Sequence, residues 1–290
     1  MDTGKVIKSI RLSKKLKSKN VYSDILSRPA RSRFEKGLSD TTSKKLFEIL
    51  SNLNISLEEF YFTYNNYKIE DNHDFITQYS KYFYSNDIES LRKLEKSTIE
   101  KYWTTNQIKF CHYSALTSLT ISSILEEKPN LKNVELLKEY LLNCEEWTYY
   151  ELVLFTNSLD FFSEELLLLL YKHAKNKLEH FSLLRRYNNE VFSLLSNILV
   201  LFITKNNVSQ SVFFYQELKN SVSETINKMY EKTMLIFFKE LINIMNSTEY
   251  DDQNIVKIIS LFNYLDMPFK RKQCISLVKV VKSNNPRTLI

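Results

Sequence analysis

Glycine is almost absent from this sequence of 290 residues: only Gly4 and Gly37 occur, beside four prolines. Sheet proteins with many hairpins usually need more glycine for their turns. A Walker loop, a dinucleotide-binding fingerprint and a nucleophile elbow each need clustered glycines, so none of them can be built here. The shortage favours an all-helical fold and excludes those three kinds of site.

Cysteines are few, and long apolar runs are missing. Cys111, Cys144 and Cys274 lie far apart without a CxxC pair, so we expect reduced thiols in a cytosolic protein. The polar, basic N-terminus lacks the apolar core of a signal peptide. The longest apolar stretch, residues 191–203, has about 13 residues, whereas a membrane span needs about 20. It predicts a buried core helix, and the whole sequence predicts a cytoplasmic protein without a membrane partner.

Residues that could act as acid and base or hold a metal ion do not converge. Two acidic pairs, at residues 145–146 and 251–252, are adjacent in sequence and cannot form a catalytic dyad. His173 and His180 are seven residues apart, and no third metal ligand is evident nearby. We interpret them as ordinary surface histidines, with a pH-sensing role as the alternative. The sequence therefore predicts neither an enzyme nor a metal or cofactor site.

The net charge of +6 is confined to the first quarter of the chain. Residues 1–66 hold 13 Lys and Arg and 7 Asp and Glu, whereas the other 224 residues hold 27 of each kind. Localised positive charge is what a phosphate backbone attracts. A solvated basic face or a patch for a membrane surface would look the same by charge alone, so those alternatives stay open.

Five short helices are predicted in this basic segment. Ser27 is a good N-cap for the third helix, and Gly37 follows its end, where a left-handed conformation is needed. Ser43 is expected to cap the fourth helix and Ser56 the fifth, where Glu59 completes a capping box. The first three predicted helices cover residues 4–17, 18–23 and 28–36.

The third helix has the features of a recognition helix that enters the major groove of DNA. Pro29 lies in its first turn, where a missing N–H costs little. Phe34 and Leu26 can face the core, and the opposite face carries hydrogen-bond donors. Arginine bidentate to guanine is the commonest specific base contact. We predict base contacts from Arg28, Ser32 and Arg33 and phosphate contacts from Ser27, Arg31 and Lys36; the alternative is a charged face that only meets solvent.

Beyond residue 66 the predicted helices become longer and their apolar faces larger. Paired helices of this length indicate an α-solenoid of helical hairpins, although no clean 34-residue consensus is present. Leu166 to Leu170 is apolar on every side, so we expect it to be buried all round. The predicted helices are 72–84, 87–104, 106–127, 132–143, 147–158, 163–180, 186–204, 209–221, 224–246, 252–264 and 268–282.

Residues 4–62 resemble the Xre-type helix-turn-helix and, more specifically, the Rgg/GadR/MutR transcriptional regulators. The matching pieces are residues 10–14 (Ile-Arg-Leu-Ser-Lys), 32–37 (Ser-Arg-Phe-Glu-Lys-Gly) followed by Ser39 and Asp40, and 53–60 (Leu-Asn-Ile-Ser-Leu-Glu-Glu-Phe). The rest of the chain fits the family's length and helical C-terminal region. Residues 258–267 (Ile-Ile-Ser-Leu-Phe-Asn-Tyr-Leu-Asp-Met) are similar too.

Two positions depart from the family pattern. Tyr22 stands where such domains usually carry a small alanine packed against the recognition helix, and Asp24 stands in place of the usual turn glycine. We therefore expect a reshaped turn before the recognition helix. The resemblance also implies that Glu35 pairs with Arg11, and we interpret that pair as structural rather than base-reading.

The resemblance implies a homodimer whose C-terminal domain is similar to tetratricopeptide repeats and binds a short signalling peptide. A helical array can hold an extended peptide through amide and guanidinium groups. For each residue alone, a structural hydrogen bond to a neighbouring helix is the alternative. The candidate peptide-binding residues are Asn157, Arg185, Tyr187, Asn188, Asn197, Asn227 and Tyr230.

The leading hypothesis is a peptide-responsive regulator of transcription with an N-terminal DNA-binding domain at 1–66 and a helical repeat domain for peptide sensing and dimerisation at 67–290. Its partners would be double-stranded promoter DNA, the peptide and a second copy of the chain. A competing hypothesis is a helical scaffold for protein binding whose basic head contacts nucleic acid or membrane nonspecifically.

Overall fold

The structure is a computed structural model that describes residues 2–68, 71–181, 184–222, 228–247 and 250–285. Within these residues it contains α-helices, one short 3-10 helix at Leu159–Phe161 and no β-strand, which confirms the predicted all-α fold. The helices are α1 (Thr3–Ser13), α2 (Ser18–Tyr22), α3 (Arg28–Glu35), α4 (Ser43–Asn52), α5 (Leu57–Tyr64), α6 (Asp71–Tyr84), α7 (Ile88–Thr105), α8 (Ile108–Ile124), α9 (Leu131–Asn143), α10 (Tyr149–Thr156), α11 (Glu164–His180), α12 (Arg185–Thr204), α13 (Val208–Ser221), α14 (Met229–Asn246), α15 (Gln253–Tyr264) and α16 (Pro268–Asn284).

The chain divides into two compact units, residues 1–78 and 79–290. The first unit contains α1 to α5, and the division falls inside α6, which begins in the first unit and ends in the second. The boundary at residue 66 that the sequence suggests lies in the turn that follows α5. The assignment of DNA binding and peptide sensing to the two parts stays a prediction.

One apolar core holds the five helices of the first unit together. Each helix contributes at least one buried side chain, so no helix depends on its own propensity alone. Short helices of five to eleven residues are marginal in isolation, and burial of an apolar face is what stabilises them here. The buried residues are Val6, Ile7, Val21, Tyr22, Phe34, Ile49, Leu50, Leu53 and Phe60.

Two predicted helix ends in the first unit are wrong. The N-cap of α4 is Thr42 rather than Ser43, since the Thr42 side chain accepts a hydrogen bond from the backbone N–H of Lys45. The first helix ends at Ser13 rather than at Lys17, because Lys15 adopts a left-handed conformation (φ +55°) that breaks the helical path. The capping box of α5 is confirmed: Ser56 and Glu59 each bond the other's backbone N–H.

The second unit is built from helices that contact both their neighbours in sequence and the next helix but one. Consecutive helices contact one another, as in α7–α8, α12–α13, α13–α14 and α15–α16. Helices α10, α12, α14 and α16 also contact one another although they are not consecutive, and α8 joins them through a hydrogen bond between His112 and Tyr150. Contact between alternate helices is typical of an α-solenoid. We call α8, α10, α12, α14 and α16 the even-helix layer.

The apolar stretch at residues 191–203 forms most of α12, where Leu194, Ile198 and Phe202 are fully buried. This confirms the predicted core helix, which contacts α10, α13, α14 and α16. Among the described helices, none combines the length and the apolar character that crossing a membrane requires.

The expectation that Leu166 to Leu170 is buried on every side is wrong. Leu167 and Leu170 are buried, but 58% of Leu169 is exposed. Neighbouring helices cover only one side of α11, so part of this apolar stretch faces solvent. Single exposed leucines are normal on folded proteins.

Candidate functional sites

Local signals place both ends of α3 as predicted. The Ser27 hydroxyl accepts a hydrogen bond from the backbone N–H of Ala30 at 3.4 Å, and Pro29 lies in the first turn. Gly37 follows the end of the helix with φ +72°. A side chain at that φ is strained, so glycine is the residue that stops α3 without distortion.

The other glycine of the chain packs α1 against the same C-terminal end of α3. Gly4 is buried in α1, and a Cβ atom built on it would overlap the carbonyl oxygen of Phe34. Only glycine allows the two helix backbones to approach this closely. Sequence reasoning missed this role, although a glycine within a helical pattern is itself a sign of close packing.

A buried ion pair joins α1 to α3. The Arg11 guanidinium donates two hydrogen bonds to the Glu35 carboxylate, at 2.7 and 3.0 Å, and a third to the carbonyl oxygen of Leu16. Only 10% and 12% of the two side chains are exposed. Burial alone would raise the pKa of Glu35, but the hydrogen bonds from Arg11 hold that pKa below its usual value. The structural pair that the resemblance implied is present.

Tyr22 and Asp24, the two departures from the family pattern, are both accommodated. Tyr22 is fully buried, and its ring meets that of Phe34 edge to face at 6.4 Å, so it fills the space between α2 and α3. Asp24 adopts the left-handed conformation that glycine would favour (φ +63°). Aspartate tolerates this conformation better than most residues. The expected reshaping of the turn is therefore not seen at this residue.

The solvent face of α3 carries the predicted DNA contacts. Successive helix positions are about 100° apart, so Arg28, Ser32 and Lys36 follow one line along the helix, with Arg33 beside it. All four side chains are exposed, whereas Arg31 is half-buried on the flank nearer the core. Within the described residues the α3 arginines form no salt bridge. Unpaired donors on one face of a capped helix can bind phosphates and base edges.

Two of the candidate peptide contacts meet at the end of α10. The Asn157 side chain donates to the carbonyl oxygen of Val153 in its own helix, at 2.8 Å. Asn197 reaches across from α12 and donates to the carbonyl oxygen of Thr156, at 3.4 Å. The Asn197 amide therefore serves a carbonyl group at the helix end, where no further turn supplies a partner. The Asn157 amide adds a second hydrogen bond to the Val153 carbonyl, which also accepts one from the Asn157 backbone N–H.

Asn188 lies elsewhere on α12. It is nine residues from Asn197, which places the two side chains on opposite sides of the helix. Tyr187 is buried, stacks on Phe181 with ring centroids 4.6 Å apart, and accepts a hydrogen bond from the backbone N–H of Tyr149. Arg185 begins α12, but its side chain lies outside the described residues, as does the whole of Asn227. The candidates thus do not form one cluster.

Tyr230, the last candidate, sits in an aromatic group on the even-helix layer. Its half-exposed ring meets Phe192 of α12 at 6.0 Å and Phe262 at 6.4 Å. The Lys270 ammonium lies over the ring, 5.6 Å from its centroid. Phe192 lies about one turn from Asn188 on α12, so Asn188 and Tyr230 belong to the same side of the layer.

A buried polar cluster that sequence reasoning missed joins α8, α9 and α10. His112 is only 1% exposed, and its Nδ1 atom is 2.7 Å from the Tyr150 hydroxyl. Tyr140 donates a hydrogen bond to Glu151, and Thr148 donates two more to the same carboxylate. Burial lowers the pKa of His112 to about 4, although the nearby Glu151 charge acts in the opposite direction.

The buried histidine predicts a loss of stability in mild acid. Because the folded pKa is below the ordinary value of about 6.5, the unfolded chain binds more protons between those values, and stability falls as the pH drops through that window. Between pH 7 and pH 5 we expect this residue alone to remove about 2 kcal/mol. Urea unfolding of the full chain at both pH values measures this change in the free energy of unfolding. His112→Gln should be less stable at pH 7 but less sensitive to pH, and an equal pH slope in both proteins would contradict the assignment.

His173, one of the two histidines expected at the surface, lies elsewhere. His173 is half-buried and meets Trp147 edge to face at 5.3 Å, so its interpretation as an ordinary surface histidine is wrong. The side chain of His180 lies outside the described residues. Across the described part of the chain, no group of three or more His, Cys, Asp and Glu side chains could hold a metal ion.

The sequence of the second unit matches a known family model. The model of the C-terminal domain of the HTH-type transcriptional regulator Rgg matches residues 90–274, which is more than half of the chain.

Several solved structures share the fold over the whole chain. A Listeria monocytogenes EGD-e protein classed as a transcriptional regulator superposes with a TM-score of 0.84 at 23% identity, covering 99% of each chain. For the SHP pheromone receptor Rgg2 of Streptococcus dysgalactiae, the TM-score is 0.74 at 22% identity, covering 97% of this chain and 99% of the receptor. For PrgX in its complex with cCF10, the TM-score is 0.71 at 16% identity, covering 99% of this chain and 94% of PrgX.

Proposed function

Because this chain belongs to the Rgg family of helix-turn-helix transcriptional regulators, we propose that it binds specific DNA sites through α3 under the control of a short signalling peptide. The observation that carries the proposal is the exposed, unpaired basic face of α3 in a unit joined to an Rgg C-terminal domain. Arg28, Ser32 and Arg33 would contact bases, and Ser27, Arg31 and Lys36 would contact phosphates. The chain would act by binding alone, without catalysing a reaction, and in the cytoplasm, where the DNA is.

The peptide half of the proposal is based on the ligands of proteins with a similar fold. Rgg2 is a pheromone receptor, and PrgX forms complexes with cCF10 and iCF10. In this chain, Asn188 and Tyr230 are the candidate contacts with exposed or half-exposed side chains on one side of the even-helix layer. Arg185 remains a candidate because α12 begins at this residue, and Asn227 remains one on the sequence alone. Asn157, Asn197 and Tyr187 would support the site through the hydrogen bonds that they already make.

We also propose that the chain acts as a homodimer. Two recognition helices related by a twofold axis read half-sites about 34 Å apart, roughly one turn of DNA. Peptide binding would favour one of two conformations of the dimer and so change its affinity for DNA.

Footprinting tests the DNA half. Genomic fragments retained by the full chain should show a discrete protected site with two half-sites, and binding should weaken as salt rises because bound phosphates release counterions. Retention without any discrete protected site would contradict the proposal and favour the scaffold with a nonspecific basic head.

Mass spectrometry of small molecules that co-purify with the protein tests the peptide half. A recovered peptide, once synthesised, should raise the melting temperature of the full chain and change its affinity for the footprinted site. If the protein protects a discrete DNA site but yields no peptide and shows no peptide-dependent change, only the DNA half of the proposal stands.

A further inference from the structure

The C-terminal end of α6 touches the first and the last parts of the even-helix layer at once. The Tyr79 hydroxyl is 2.6 Å from that of Thr120 in α8. Thr120 already donates its own proton to the carbonyl oxygen of Leu116, so Tyr79 is the donor. Five residues later, the ring of Tyr84 meets Phe269 of α16 edge to face at 5.0 Å. One and a half helical turns of α6 thus bridge two helices that lie about 150 residues apart in sequence.

The two ends of this bridge differ in strength. Tyr79 is buried and hydrogen-bonded, whereas 56% of Tyr84 is exposed and its contact to α16 is made by rings alone. Phe83 adds a second ring contact to Phe269 at 6.4 Å. An edge-to-face ring pair at the surface is a weak contact that can open without unfolding the helices. We call Phe83, Tyr84 and Phe269 the aromatic clasp.

The aromatic clasp lies beside the candidate peptide contact at Tyr230. Lys270, which follows Phe269 in α16, places its ammonium over the Tyr230 ring. Partial burial raises the pKa of Tyr84, and Tyr230 raises it further, whereas Lys270 lowers it, so all three side chains share one electrostatic environment. A ligand that binds at Tyr230 would therefore meet the clasp.

We propose that the aromatic clasp is a switch: it closes or releases the junction between α6 and α16, and its state is passed along α6 to the first unit. The proposal rests on the proposed function and adds the element through which that function is regulated. α6 is one continuous helix from Asp71 to Tyr84, and its first residues belong to the first unit, which we propose binds DNA. A change in how the C-terminal end of α6 is held would reach its first residues through the helix itself.

Hydrogen exchange and DNA binding of the full chain test the switch. We expect Tyr84→Ala and Phe269→Ala each to raise exchange of residues 79–84 about tenfold. The double variant should raise it no further than Phe269→Ala alone, because that substitution already removes the ring contact that Tyr84 makes. Tyr84→Phe, which keeps the ring, should behave as the wild type. Tyr264→Ala is the matched control, since Tyr264 is 86% exposed on α15. Unchanged exchange in the two alanine variants would overturn the clasp.

The DNA measurement decides whether the clasp regulates. Affinity for the genomic fragment that the wild type selects should change about threefold or more in both alanine variants, in the same direction, and remain unchanged in Tyr84→Phe and Tyr264→Ala. Faster exchange with unchanged DNA affinity would show that the clasp is a structural contact only, and it would overturn the proposal that the clasp is a switch. A wild type that selects no fragment would refute the proposed function and the switch, while exchange would still show whether the clasp exists.

Discussion

Replacing both Arg28 and Arg33 with alanine is expected to weaken binding to the footprinted DNA site by about 100-fold or more. A good bidentate contact between arginine and a base contributes roughly 1–3 kcal/mol, and two such contacts would be lost. Both side chains are exposed on α3 and neither forms a salt bridge among the described residues, so the folded state loses little. Gel shifts over a range of salt concentrations measure the change.

A matched variant separates base reading from loss of charge. Lys44→Ala with Lys45→Ala removes the same two charges from exposed positions on α4, outside the face of α3. It should weaken binding to the site and to unrelated DNA by similar factors, because phosphate contacts carry no sequence information. The arginine variant should lose mainly its preference for the site. Wild-type affinity and an unchanged salt slope in the arginine variant would refute the assignment of α3.

Arg11→Met is expected to destabilise the first unit by about 3–5 kcal/mol, because it leaves the Glu35 carboxylate buried without a partner. That is a large share of the 5–15 kcal/mol by which whole proteins are typically stable. Hydrogen exchange in α1 and α3 of the full chain reports the change locally, and we expect exchange to rise about 100-fold or more. Because the pKa of Glu35 is lowered, the pair stabilises the unit near neutral pH and this contribution disappears as acid protonates the carboxylate.

Two further variants define the origin of that loss. Lys5→Met removes the partner of Asp2 in an exposed salt bridge at the start of α1, and it should have little effect on stability because solvent screens an exposed pair. Adding Glu35→Leu to Arg11→Met should restore most of the stability, since no unpaired charge then remains. An Arg11 variant as stable as the Lys5 variant would show that the pair does not hold α1 to α3.

The sequence was most informative where signals act over a few residues. Ser27, Pro29 and Gly37 mark both ends of α3 because caps and left-handed turns depend on neighbouring backbone groups. Hydrophobic spacing likewise predicted the helices of the second unit to within a few residues of their observed ends. The same local signals failed at Ser43, where Thr42 offers an equally good cap one position earlier.

Candidate ligand contacts were harder to predict, because a polar side chain on an apolar helix can form a hydrogen bond either to a ligand or to a group within the protein. Asn157 and Asn197 both donate hydrogen bonds to carbonyl groups near the end of α10. The Tyr187 hydroxyl accepts a hydrogen bond from the backbone N–H of Tyr149, where that helix begins. Which use applies depends on what lies opposite the side chain in the folded structure. The pattern of polar residues along one helix does not contain that information.

Composition and local patterns were enough to show that this protein is all-helical, that its excess positive charge lies in residues 1–66, and where α3 begins and ends. Composition, charge and capping are properties of single residues and their neighbours. The folded structure was needed to show that Gly4 must be a glycine, that Leu169 faces solvent, and that Tyr84 meets Phe269. Close backbone approach, burial and ring contacts arise between residues far apart in sequence, and packing alone brings those residues together.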